Sequence, residues 1–348
     1  MKRINTNKVF LTLAVLLLVS MLIAIASGAV NISFVEVIKI ILSSVFSNGE
    51  MSQNLSAPYE SIILDIRIPR VFLAAIIGGV LALSGATMQG LFRNPLADPS
   101  LIGVTAGASL GASIMIVISA SYGSAWLGLP ILSLGAFLGG VLAVALVYRL
   151  ASSTYGTSVA TMLLAGIGIT ALASSVSGLL EFYADNEMLR RISLWRMGGL
   201  DGATYSTVFI AAIIGLFMLI LLPRYSVALN ALLLGESEAK HLGINTESLK
   251  KQIIVLVAAG VGVSVALAGT IAFIGLVVPH ILRLLIGPDH RYLLPTSALA
   301  GAILLVVADN IARVIVAPTE LPVGLVTALV GVPFFISLLT RRHVYGLS

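Results

Sequence analysis

The segment 269–283 reads GTIAFIGLVVPHILR and sets Pro279, His280 and Arg283 inside an otherwise apolar run. Polar and ionisable groups at bilayer depth are costly and face protein or water, so such a run marks a functional surface. Two further strings break apolar tracts in the same way, RIPR at 67–70 and RNPLADP at 93–99. None of them makes a catalytic set. The four histidines, His241, His280, His290 and His343, pair with no nucleophile and acid at a working spacing, and there is no HExxH zinc motif. His280 is read as a satisfied structural residue in preference to a ligand. The chain has no cysteine, which removes disulfides, thiolate metal sites and thiol nucleophiles. No Walker A loop occurs, so no nucleotide site is expected in this chain.

Asp309 lies four residues before Arg313, a spacing that suits a pair within one helix. Other carboxylates inside apolar tracts are scarce, which argues against a carrier driven by protons or sodium. Arg67, Arg70 and Arg313 fall near the ends of their tracts. Two readings stand side by side. The side chains snorkel toward headgroups, or they form a docking surface for an acidic partner, since arginine pairs with carboxylates at two points. The polar stretch 223–250, PRYSVALNALLLGESEAKHLGINTESLK, offers a similar choice. It is a solvated connector, or one or two short helices, broken at Gly235 and Gly243, that dock on a partner.

The elements that must carry these residues are apolar tracts. The chain has 348 residues, 58% hydrophobic and only 10% charged. A soluble domain is about 25% charged. Lipid must therefore be the solvent for much of this surface. The 33 glycines fit helices that pack backbone to backbone in a bilayer. Tracts of spanning length occur at 9–29, 62–91, 101–119, 127–150, 158–182, 205–222, 251–268, 271–286, 293–316 and 323–339, ten in all. The tract at 62 opens with polar residues, as a helix that begins outside the membrane would. The one at 271 is short and interrupted by Pro279. The first follows Lys2, Arg3 and Lys8 like a signal peptide, but its apolar run exceeds the usual 7–15 residues, so it is read as an uncleaved helix. Stretch 31–61 has helical spacing and is expected to lie flat at the interface.

With the N-terminus in the cytoplasm, thirteen of the 20 Lys and Arg fall on the cytoplasmic side and seven outside. That bias places both termini in the cytoplasm. The net charge of +5 is dispersed, with no basic run longer than two, and points to topology rather than to nucleic acid.

The string RIPRVFLAAIIGGVLALSGATMQGLFRNPLADPSLIGVTAGASLGA at 67–112 resembles the second and third spans of the FecCD family. These are permease subunits of binding-protein-dependent ABC importers for iron-siderophores, heme and vitamin B12. GTIAFIGLVVPHILRLLIGPDHRYLLP at 269–295 and ADNIARVIVAPTELPVGLVTALVGVPFFISLL at 308–339 are similar to its C-terminal hallmarks, and GESEAKHLG at 235–243 to its ATPase-contacting loop. The resemblance runs in order from about residue 64 onward.

It implies a single all-α membrane domain over 1–348, with ten transmembrane helices in the type II importer arrangement. Two copies, expected to be identical, would form a central pathway in the bacterial cytoplasmic membrane. Two ATPase subunits would bind ATP and magnesium below, and a periplasmic or lipid-anchored binding protein would dock above. No cofactor or metal is expected in this chain. By this resemblance Arg67, Arg70 and Arg313 match the family's docking arginines. Glu236, Glu238, Ala239, Leu242 and Gly243 match its coupling loop. The gate regions would be Thr105, Ala106 and Gly107 on the third span and Ser158 and Val159 before the fifth. Cobalamin members tend to carry Asn where Ala106 stands, and 189–204 looks more like heme and siderophore members, so chelated iron is the expected cargo and cobalamin the alternative. A stand-alone secondary transporter is the rival outside the family.

Overall fold

The computed structural model describes residues 6–30, 32–46, 57–121, 129–154 and 156–344. The order is α1 Thr6–Ala26, α2 Phe34–Phe46, α3 Ala57–Ser61, a π-helical stretch Ile62–Arg67, α4 Ile68–Leu91, a 3-10 turn Pro99–Ile102, α5 Val104–Ser121 and α6 Leu129–Ala151. A hairpin of β1 Ser152–Ser153 and β2 Gly156–Thr157 follows, then α7 Val159–Tyr183, α8 Asn186–Met197, α9 Tyr205–Leu221 and a 3-10 turn Leu222–Tyr225. The chain closes with α10 Ser226–Leu232, α11 Glu236–His241, α12 Thr246–Ala268, α13 Ile274–Ile286, α14 His290–Val314 and α15 Val323–Val344.

Among the described residues 7 helices are long and apolar enough to cross a membrane, and three shorter apolar helices occupy Val104–Ala120, Ile274–Ile286 and Val323–Ser337. They coincide with the ten expected tracts. The tract at 62 does begin earlier: its helix runs Pro58–Leu91, 34 residues. In the stretch 31–61, α2 buries Val37 and Ile40 and exposes Phe34, Val35, Ile38 and Leu42, as an interfacial helix would. Residues 31 and 47–56 of that stretch, the first two residues of the tract 127–150, and Lys2 and Arg3 lie outside the described residues.

α4 is the centre of the body, and glycines let its neighbours approach. A Cβ on Gly78 would fall on the Gly301 carbonyl of α14, and one on Gly85 would fall on the backbone of Gly275 in α13. Gly107 and Gly111 of α5 meet Gly139 and Gly135 of α6 in the same way. Both pairs have the small-xxx-small spacing that brings helices together in lipid, where no hydrophobic force drives them. The outer faces of α1, α6, α7 and α9 stay rich in exposed leucine, isoleucine and phenylalanine. Those faces belong to the apolar solvent.

Two helices are irregular for identifiable reasons. Pro279 cannot donate to the Gly275 carbonyl one turn earlier in α13. Gln89 of α4 takes that carbonyl instead, with its amide 3.3 Å from Gly275 O and 3.2 Å from Leu276 O. Before α4, Pro69 withdraws a donor from the π-helical turn, and the Tyr205 hydroxyl donates to the Leu64 carbonyl at 2.6 Å. In both places a neighbouring helix satisfies backbone that the bilayer could not.

Candidate functional site

The expected docking and coupling residues sit at opposite ends of the body. At one end the start of α4 meets the ends of α1 and α14. Arg67, Arg70 and Arg313 are only 4, 6 and 3% exposed. Their guanidiniums neither snorkel outward nor lie open on the surface. Arg67 donates to the carbonyls of Ile25 at 2.9 Å and Ala26 at 2.8 Å, and also to that of Val30. Arg313 donates to Ala24 O at 2.8 Å and Ser27 O at 3.4 Å. Two arginines thus close the C-terminal end of α1, where carbonyls lack helical partners and the helix dipole is negative.

Arg70 faces carboxylates. Its Nη2 stands 2.9 Å from Asp309 Oδ1, and its Nη1 2.6 Å from Glu320 Oε2. Asp309 also pairs with Arg313 at 3.1 Å, the i,i+4 contact its spacing suggested. That Nε finds no hydrogen-bond geometry, so the contact is an ion pair alone. Asp309 is fully enclosed, while the Glu320 side chain is 41% exposed. The cluster reaches solvent through Glu320, a residue sequence reasoning passed over.

At the opposite end the stretch 223–250 folds into α10 and α11, with the expected breaks at Gly235 and Gly243, both at positive φ of 129° and 82°. Ala239 is completely buried and anchors α11 on the body. Glu238 and Gly243 are exposed, and Leu242 is 64% exposed beside exposed Leu233 and Leu234. Bare leucines next to charged residues suit a protein partner better than a bulk connector. Asn230 of α10 ties this segment to α14: its amide donates to Asp289 Oδ1 at 2.7 Å, and its oxygen accepts from His290 N at 2.9 Å. Glu236 is partly buried, which raises its carboxyl, but the Lys250 ammonium and then Lys240 outweigh that and hold it below its ordinary value.

The expected gate residues fall in different settings. Thr105 lines a cavity of about 230 Å³ shared with Leu81, Asp98, Val261, Thr270 and Gly275. Ala106 is half-buried, and Gly107 packs on α6. Ser158 is exposed and caps α7, accepting from Thr161 N at 3.2 Å, with Val159 half-buried behind it. Among the described residues no group of three or more His, Cys, Asp or Glu could hold a metal ion. The polar lining of the cavity is Asp98, Ser100, Thr105 and Thr270.

A model described as the FecCD transport family matches residues 16–341. The hemin transport system permease protein HmuU of Yersinia pestis is 45% identical over 285 residues, 80% of this chain and 83% of that protein. The cobalamin import system permease protein BtuC of Halobacterium salinarum is 39% identical over 292 residues, 83% of this chain and 76% of that one. A solved structure described as an inward-facing conformation of a metal-chelate type ABC transporter superposes with a TM-score of 0.83 at 30% identity, covering 96% of this chain and 99% of that one.

Proposed function

The chain belongs to the FecCD transport family, and from that premise we propose that it is the permease of an ATP-driven, binding-protein-dependent importer of chelated iron, with heme the first candidate. The observation that carries the cargo reading is the 45% identity to a hemin permease. The 39% identity to a cobalamin permease favours cobalamin as the second reading.

Each part of the molecule has a task in this reading. Two copies enclose the pathway in the bacterial cytoplasmic membrane, with both termini in the cytoplasm, as the Lys and Arg bias supports. ATP and magnesium sit in the ATPase partner, which grips α11 and the exposed leucines around it. ATP binding and hydrolysis shift the population between inward-open and outward-open states. The binding protein docks at the arginine end. Because the arginines are buried, a partner's carboxylate reaches them by taking the place of Glu320 on Arg70. Cargo selectivity rests with the binding protein, which agrees with walls that lack a ligand cluster among the described residues.

The test is a cargo panel. The chain, its ATPase and its binding protein are placed in liposomes and offered hemin, a ferric siderophore and cobalamin in turn. Accumulation of hemin ahead of the other two is expected. Preference for cobalamin moves the assignment to the second reading.

A further inference from the structure

Lys250 sits in the first turns of α12 and is only 4% exposed. An ammonium has three donors, and here each has an acceptor on a different element. Nζ lies 2.8 Å from Glu236 Oε1 of α11, 2.9 Å from Glu247 Oε1 of its own helix, and 2.9 Å from the Thr157 carbonyl of β2. The other oxygen of Glu247 accepts from Thr157 N at 2.7 Å. Both backbone polar groups of Thr157 are therefore held by α12. Gly156 leaves room for this: a Cβ there would stand 3.0 Å from the Glu247 carboxylate. The next residue, Ser158, caps α7 and donates its N–H to Ala151 O at the end of α6, 3.1 Å away.

We propose that Lys250 is a positioning residue that couples displacement of α11 to the N-terminal end of α7. This rests on the ATP-driven reading above, in which α11 is the part the ATPase moves. The ammonium is buried while its carboxylate partners Glu236 and Glu247 are 32 and 39% exposed, and charge-assisted hydrogen bonds are roughly twice as strong as neutral ones. The hairpin they hold is two residues per strand, and so short a ladder is marginal by itself. When Glu236 moves with α11, the ion pair holds and the hairpin gives. Thr157 then carries Ser158 and the first turn of α7 with it. Stability alone is a poor reason for the arrangement, since a well-packed apolar residue often serves a buried site as well as an ion pair does.

The experiment uses the complete assembly in liposomes and reads ATP hydrolysis and cargo uptake on the same sample. Lys250→Met keeps the length and removes the charge. The cargo moved per ATP is expected to fall about tenfold, the scale of one lost hydrogen bond to a charged group, while hydrolysis stays within about twofold. Lys250→Arg should recover part of the ratio. If Lys250→Met does not assemble, Glu236→Gln decides, because its half-exposed side chain can change without burying a charge; a reduced ratio is expected. An unchanged ratio, or uptake and hydrolysis falling together in proportion, overturns the relay. A wild-type assembly without ATP-dependent uptake overturns the importer reading itself, and the relay falls with it.

Discussion

Arg70 of α4 and Asp309 of α14 hold each other at three short distances: Nε stands 3.0 Å from Oδ1 and 3.2 Å from Oδ2, and Nη2 stands 2.9 Å from Oδ1. The pair joins helices far apart in sequence at the point where the ends of α1, α4 and α14 converge. One carboxylate serves two guanidiniums, because Arg313 leans on the same Asp309. Glu320 supplies the further negative charge from the surface.

Asp309→Asn leaves two buried guanidiniums facing an amide. Breaking a buried pair from one side costs about 3–5 kcal/mol, so a large drop in the unfolding midpoint in detergent is expected. The double substitution Arg70→Met with Asp309→Leu should be milder than Asp309→Asn alone, because it removes a charge as well as its partner. Equal stability of Asp309→Asn and wild type would show that the pair is not held as described.

Glu320→Gln should change stability by less than about 1 kcal/mol, as half-exposed ion pairs do. Its effect on docking is expected to be larger. Arg70 keeps Asp309 on Nε and Nη2, but its Nη1 loses the Glu320 charge and would receive the binding protein's acid more readily, so a titration of the binding protein onto the reconstituted permease should show tighter association. Weaker association would mean that Glu320 itself contacts the partner.

Gly85 and Gly178 make a matched pair. Nothing stands within 4 Å of a Cβ built on Gly178. Gly178→Ala should fold normally and gain up to about 1 kcal/mol from helix propensity. Gly85→Ala drives its methyl into the Gly275 backbone, which has no rotamer to turn aside, and should cost about 1–3 kcal/mol or more. Size-exclusion profiles and thermal melts of the two purified variants read this directly.

Leu242, which caps the end of α11, tests the proposed ATPase contact, and Ala239 tests the anchoring of α11 itself. Leu242→Asp alters an exposed side chain, so the chain should remain folded while co-purification of the ATPase subunit falls at least about tenfold, the loss expected for an apolar anchor at an interface. Ala239→Trp overfills a fully buried position and should disturb α11 itself. Retention of the ATPase by Leu242→Asp would move the contact elsewhere on this end.

The spans were legible because their length and apolarity exceed anything a soluble core demands. The Asp309–Arg313 pair was legible from its spacing. The pairing of Arg70 with Asp309 was not, since it depends on α4 and α14 running side by side. Nor was the inward turn of Arg67, whose partners are backbone carbonyls and leave no mark in a sequence. Helix α8 is not legible as an apolar tract because Arg190, Arg191 and Arg196 interrupt its six apolar residues in NEMLRRISLWRM; the start signal is Asp185, which accepts from Met188 N at 2.8 Å. The packing of Gly107 could have been read from the glycine spacing at 107 and 111 against 135 and 139. Lys250 gave no signal. In sequence it is one of two adjacent lysines, and only the fold distinguishes it from Lys251, which stays exposed.

The most direct measurement is cargo uptake into liposomes that contain the permease and binding protein, with and without the ATPase subunit and ATP. Accumulation only when both are present, and unaffected by collapsing ion gradients, is the expected result. Uptake that proceeds without the ATPase and stops when the gradient is dissipated would contradict the account and identify a stand-alone secondary transporter.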